Sequence, residues 1–264
     1  MDPFEALVLG VIQGISEWLP ISSSGHLAIT EELLGLPAKE NLLFDLFVHL
    51  GTLFAVCVYF RKEIVRIVVA TFTPKVRRGP QEEALRMLGL LILVATIPIA
   101  VLGVLASGYI EDAFNLTLVG AMLVVNAGVI FFAERRGKTA TRKNARFADA
   151  VVIGLFQAIA ILPGISRSGS TISGGMFRGI QREMAATFAF LLSVPAILGA
   201  FLFGLVNLDS YDANLGNLII GLVSAFLIGL ASIEYLLKAI RSGRLWLFSI
   251  YCAVLGVIVV LATL

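Results

Sequence analysis

The sequence predicts an all-α integral membrane protein, with six full transmembrane helices plus two re-entrant helix hairpins in an inverted-topology repeat. Three observations lead there. Of the 264 residues, 58% are hydrophobic and only 14% charged, and mean hydropathy is +0.95. A soluble domain is about half apolar and a quarter charged. The apolar residues run in long stretches, which suit helices and not the weak alternating segments of a barrel. Finally, one polar phrase occurs twice: GVIQGISEWLPISSSGH at 10–26 and GLFQAIAILPGISRSGST at 154–171. When Gly10 is laid on Gly154, Glu5 falls on Asp149, Gln13 on Gln157, Ser22 on Ser166, Ser24 on Ser168 and Gly25 on Gly169. The match slips by one residue at Leu19-Pro20 and Leu162-Pro163.

The chain opens without the basic start of a cleaved signal peptide. Its first apolar run, 4–19, stops at Pro20, and residues 1–41 read as a hairpin. Pro20 removes an amide donor and clashes with the preceding turn, and the serines after it can cap an outgoing helix. The first span follows at 42–60. The loop 61–86 holds Arg61, Lys62, Arg66, Lys75, Arg77, Arg78 and Arg86. Span 86–106 leads to a loop, 107–115, with no Lys or Arg, and span 116–133 to a basic loop, 134–146. Residues 147–177 carry the second phrase, with Pro163 as its break, and read as the second hairpin. Arg178 and Arg182 precede span 185–206. The segment 207–216 has no basic residue, span 217–237 ends at Lys238, Arg241 and Arg244, and the last span is 245–263.

The basic connections hold 18 of the 20 Lys and Arg residues, and the positive-inside rule places them in the cytoplasm. Lys39 sits near an interface. Arg167 is the one basic side chain at expected membrane depth. The second hairpin has cytoplasmic charge on both flanks, so it enters and leaves from that side. The first enters and leaves from outside. One membrane domain, 1–264, then contains repeat one at about 1–134 (hairpin 1–41 plus three spans) and repeat two at about 147–264 (hairpin 147–177 plus three spans). Three crossings are odd, so the second repeat is inverted. The competing reading makes 4–19 and 150–165 ordinary spans. Irregular backbone at membrane depth must be buried in protein or line a water-filled cavity, so the hairpin tips are expected to meet.

Helix N-termini and freed amides at such tips attract anions such as phosphate. Arg167 adds a planar fork for two phosphate oxygens. Glu17 is an acid at membrane depth, Gln13 lies one helical turn before it, and His26 titrates near neutrality. A carboxylate facing a phosphate invites Mg²⁺ or Ca²⁺. Plainer readings stand beside these. The serines and glycines can be packing residues, and Glu17 can pair with Arg167 for architecture alone. His49 reads as an interfacial or packing residue, Asn126 as an interhelical hydrogen-bonding residue and Glu234 as an interfacial charge. Cys57 and Cys252 read as packing residues, neither a disulfide nor a metal site. Phe188, Phe190, Phe201 and Phe203 read as lipid or core surface, or as a groove for an isoprenoid tail. A net charge of +2 says little about partners.

QGISEWLPISSSGH resembles the (Glu/Gln)-x-x-x-Glu element and Ser-rich stretch of the undecaprenyl-diphosphate phosphatase family, the bacitracin-resistance phosphatases. PGISRSGST resembles that family's second element, Pro-Gly-x-Ser-Arg-Ser-x-x-Thr, and the similarity extends through FVHLGTLFAV and FAFLLSVPAILGA. The resemblance implies hydrolysis of a polyprenyl diphosphate to the monophosphate at the outer face of the cell membrane, recycling the lipid carrier for envelope glycans. It also implies a divalent cation, Mg²⁺ or Ca²⁺. Glu17, Ser23, His26 and Arg167 are the expected catalytic residues, with Glu17 also the metal ligand. Gln13, Ser22, Ser24, Gly25, Ser166, Ser168, Gly169 and Thr171 are expected to bind substrate. Gln13 stands where many members have Glu, leaving one carboxylate in that element. The nucleophile is Ser23 or a water, and His26 is the base or the acid. The rival class is a polyprenyl-phosphate flippase on the same anion site. The expected partners are the lipid and the membrane, with no nucleic acid; a homodimer stays open.

Overall fold

Eleven α-helices make up the described residues, with no strand and one isolated bridge between Arg142 and Ile180. The computed structural model describes residues 1–36, 41–74, 76, 79–113, 115–207 and 214–264, and of 106–113 the backbone alone. Lys39, Lys75, Arg77 and Arg78 lie outside the described residues, as do Phe114 and 208–213 of the two base-free loops. In chain order the helices are α1 (Pro3–Ser16), α2 (Ser23–Leu34), α3 (Leu42–Tyr59), α4 (Arg61–Phe72), α5 (Pro80–Ala113), α6 (Leu116–Gly137), α7 (Phe147–Ile159), α8 (Arg167–Phe177), α9 (Arg182–Val206), α10 (Leu215–Arg241) and α11 (Trp246–Thr263). Helices α3, α5, α6, α9, α10 and α11 are long and apolar enough to cross a membrane, at the six places the sequence predicts. The protein is a multi-pass membrane protein.

The first basic loop is not all loop. Its opening residues form α4, an amphipathic helix with Arg61, Lys62 and Arg66 among exposed Val65, Val68, Val69 and Phe72. Apolar residues at helical spacing between charges are the signal for such an element.

Helices α1, α2, α7 and α8 are short, at 14, 12, 13 and 11 residues. At 1.5 Å per residue none reaches the ~30 Å of a bilayer core. Both polar phrases start in the same way. In α1, Asp2 caps the first turn and Glu5 returns a carboxylate to the Asp2 amide at 2.6 Å. In α7, Asp149 accepts from the Arg146 amide at 2.9 Å. The aligned pair Glu5 and Asp149 thus does one job twice. Both first arms end before their prolines, since the residue ahead of a proline is driven out of helical geometry.

Asp149 also ties the start of α7 to the segment before it and to the end of α8. Its buried carboxylate accepts from Arg142 at 2.6 Å and Arg178 at 2.9 Å. Burial by itself would raise its pKa, but these hydrogen bonds and the Arg146 amide hold it down at about 2. A lowered folded value gives stability that is present above the usual 3.8 and lost as pH falls toward 2. The melting temperature of the wild type should therefore drop on acidification through that window. Asp149→Asn should melt lower at neutral pH, and its deficit should shrink there. A deficit of constant size down to pH 2 would contradict this account.

The first arms pack on long helices: α1 against α10, and α7 against α5. Both crossings need a glycine at the aligned position. A Cβ on Gly10 would sit 2.6 Å from the Gly221 carbonyl oxygen, and one on Gly154 would sit 2.7 Å from that of Ala95. Gly10→Val should lower stability by about 1–3 kcal/mol through overpacking, read as a lower melting temperature in detergent. Leu7→Ala, at an exposed position of the same helix, should leave it unchanged. Helix α8 packs on α6, α7 and α9, α3 lies against α10 and α9, and α11 lies along α6. Trp18 anchors the core, with Phe190 at 5.5 Å and Phe60 5.6 Å beyond Phe190, centroid to centroid.

Candidate active site

The two tips are built alike and touch. Ser22 caps α2 by accepting from the Gly25 amide, and its aligned partner Ser166 caps α8 by accepting from the Gly169 amide. Left-handed backbone occurs in both turns, at Ser22 (φ 72°) and Gly164 (φ 97°). A non-glycine residue there carries strain that its surroundings must hold. His26 does part of that holding, through Nδ1 to the Ser22 carbonyl oxygen at 2.8 Å.

Asn126 on α6 pins both tips at once. Its amide nitrogen donates to the Pro20 carbonyl at 3.1 Å, and its oxygen accepts from the Ser166 amide at 3.2 Å. The interhelical role expected of it is thus fulfilled. The Ser168 hydroxyl crosses directly to the Leu19 carbonyl at 3.2 Å. Gly169 lets the tips close, since a Cβ there would lie 3.1 Å from Pro20 Cβ.

At this junction Arg167, the first residue of α8, forms an ion pair with Glu17. Glu17 is 5% exposed. Its other oxygen accepts from the Ser23 hydroxyl at 2.6 Å and the Gln13 amide at 3.0 Å. His49 Nε2 stands 3.7 Å from that oxygen. Glu17, Ser23, Ser24, His49, Ser166 and Arg167 line one cavity of about 390 Å³. The rest of its wall includes Leu46, Ile99, Ile161, Ile197 and Phe201. It therefore joins a polar end to an apolar wall.

The sequence-predicted residues divide accordingly. Glu17, Ser23, Ser24, Ser166 and Arg167 face the cavity, and Gln13 touches it through Glu17. Ser22, Gly25, Ser168 and Gly169 shape the tips. The Thr171 hydroxyl donates back to the Arg167 carbonyl at 2.8 Å, along its own helix. His26 does not reach Glu17: its Nε2 is bonded to Tyr251 Oη at 2.7 Å, and the two rings stack. The imidazole at Glu17 belongs to His49, which corrects its reading as an interfacial or packing residue. The available signal was a histidine inside an apolar span, a functional-site candidate by default. Phe188 and Phe190 are core, Phe201 is cavity wall and Phe203 is exposed. Cys57 and Cys252 are free; Cys252 is buried and Cys57 partly so. Glu234 is a surface charge paired with Lys238 at 2.8 Å.

Glu17 fits the expected cation poorly. Arg167, Ser23 and Gln13 all donate to its carboxylate, and the guanidinium sits directly on it, leaving Gln13 Oε1 as the one unpartnered oxygen beside it among the described residues. Among the described residues, no group of three or more His, Cys, Asp or Glu side chains is placed to hold a metal ion.

Fold and site together define a polytopic helical membrane protein whose centre is a buried acid–guanidinium pair beside an apolar cavity. The chain belongs to the family described as Bacitracin resistance protein BacA, which it matches over residues 6–258. It is 41% identical to an undecaprenyl-diphosphatase of Syntrophotalea carbinolica over 259 residues, covering 97% of each chain. It is 40% identical to one of Alkaliphilus metalliredigens over the full length of both. A relative of the same name from Korarchaeum cryptofilum is 38% identical over 97% of this chain and 98% of its own.

Proposed function

We propose that this protein is a phosphatase that hydrolyses a polyprenyl diphosphate, the undecaprenyl lipid for which its relatives are named, to the monophosphate and inorganic phosphate. The observation that carries the reading is the meeting of Glu17, Ser23 and Arg167, drawn from two like-built tips, at the polar end of a cavity with an apolar wall. The diphosphate takes the polar end and the prenyl tail lies along Leu46, Ile99, Ile161 and Phe201. Resemblance and charge pattern together favour action at the outer face of the cell membrane, where it returns a lipid carrier to use.

The short helix pairs are re-entrant hairpins in this reading, and the halves are inverted repeats. Packing supports that view. Exchanging the halves turns the contact of α1 on α10 into that of α7 on α5, and leaves α3 on α9 and α6 on α11 as they are.

The arriving phosphate draws Arg167 off Glu17. Glu17 then accepts the Ser23 proton, already shared at 2.6 Å. Ser23 Oγ attacks the terminal phosphorus, the bridging P–O bond breaks, and the prenyl monophosphate leaves. Water then cleaves the phosphoserine to inorganic phosphate and restores Ser23. Arg167 and the positive N-terminal end of α8 neutralise the charge that builds on the transferred phosphoryl group. His26 acts as a positioning residue, holding the Ser22 carbonyl and thereby its neighbour Ser23.

The test is phosphate release from a polyprenyl diphosphate by the purified protein in detergent with Mg²⁺ or Ca²⁺. Release is expected. Its absence, with lipid moving between leaflets of reconstituted vesicles, would replace this reading with that of a flippase.

A further inference from the structure

A second pair of acids, one of them on the wall of the same cavity, has no place in the reaction above. Asp45, in the first turn of α3, lines the cavity. Glu31, near the end of α2, is 3% exposed and close enough for its charge to act on Asp45. Asp45 Oδ1 and Glu31 Oε1 are buried and bonded to nothing. No cation pairs with either acid among the described residues. Asn41, just before α3, is 7% exposed and faces the Glu31 carboxylate, but its amide nitrogen stops short of a well-formed hydrogen bond. Three orphan polar atoms in one corner call for a ligand, because buried polar groups are otherwise satisfied. Two neighbouring buried carboxylates call for positive charge.

We propose that Asp45 and Glu31 hold a divalent cation, Mg²⁺ or Ca²⁺, at the cavity wall, with oxygens of the bound diphosphate completing its shell. The site rests on the reading that this cavity receives a diphosphate. Two carboxylates plus phosphate oxygens is a common way of holding Mg²⁺, which keeps waters in its remaining positions. Asn41, with its amide turned over, adds a carbonyl oxygen, a ligand that hard cations accept. The placement is right for the chemistry. Asp45 lies one helical turn, roughly 6 Å along α3, before His49, and His49 faces Glu17. A diphosphate on Arg167 therefore has its second phosphoryl group within reach of a cation on Asp45. The arrangement also accounts for Gln13: with the cation on the second acid pair, the element around Glu17 needs only one carboxylate.

The experiment is binding of Mn²⁺ alone to the purified full-length protein, followed by loss of the free-ion electron paramagnetic resonance signal. The wild type should bind Mn²⁺, and Ca²⁺ should displace it. Loss of a mere outer-sphere partner weakens a metal site by about 10–100-fold, so Asp45→Asn and Glu31→Gln should each weaken binding at least about ten-fold. Glu17→Gln should keep it. No Mn²⁺ bound by the wild type, unchanged binding in both acid variants, or loss confined to Glu17→Gln would overturn the site. Both substitutions keep side-chain shape and remove like-charge repulsion, so melting should hold. If Asp45→Asn fails to fold, Glu31→Gln, away from the cavity wall, carries the test. Mn²⁺ held at these acids without phosphate release would sink the reaction and leave the site standing. Release with Mn²⁺ held at Glu17 would do the reverse.

Discussion

Ser23→Ala should lose phosphate release by at least about a thousand-fold, because it removes the attacking atom rather than one that assists. Ser23 is the hydroxyl that already donates to Glu17 at 2.6 Å, and it starts α2 at the cavity edge. The neighbouring serines differ in their tasks. Ser22 is committed to the Gly25 amide, and the Ser24 hydroxyl meets that of Ser22 at 3.3 Å rather than Glu17. Ser24→Ala should therefore keep most of its rate. The sharper readout is a rapid acid quench with radiolabelled terminal phosphate. Label should stay on wild-type protein and be missing from Ser23→Ala. Turnover near the normal rate in Ser23→Ala would make water the nucleophile.

Arg167→Lys should lower kcat by about 100-fold, with a smaller change in KM. Removal of one preorganised donor to a developing oxyanion costs on that order. Lysine preserves charge but not the planar two-pronged donor, and its ammonium can remain on Glu17 instead of passing to the phosphate. The substitution therefore separates charge from geometry. A lysine variant with a near-normal rate would show that bulk positive charge suffices at the tip. A fall in kcat/KM matched by an equal rise in KM, with kcat unchanged, would mean that Arg167 only gathers substrate.

Much of this was legible in the sequence. Long apolar runs fixed the six crossing helices, and Pro20 and Pro163 marked interruptions where α1 and α7 do end early. The aligned phrases foretold more than motif. Glu5 and Asp149 both serve helix starts, Gly10 and Gly154 both sit at close crossings, and Ser22 and Ser166 both cap. The pairing of Glu17 with Arg167 stood among the plainer readings of the sequence, since each is hard to bury alone.

What escaped was what only tertiary contact decides. His49 lies far along the chain from the phrase it joins, on a span whose own pattern says only that it is apolar. His26 sits within the Ser-rich motif, yet its ring is claimed by Tyr251 on α11, more than two hundred residues later. Glu31 and Asp45 look like ordinary interfacial charges until α2 and α3 join one hydrophobic cluster with α1 and α10. The helix α4 was concealed by the basic residues that mark its segment as a cytoplasmic connection.

The pin made by Asn126 has an evolutionary consequence. One amide reads the backbone of both tips, so neither copy of the phrase is free to change length or path without the other. Substitutions around Pro20 and those around Ser166 should accumulate in concert across descendants, and a chimera that grafts a foreign first tip onto this second one should fail unless position 126 travels with it.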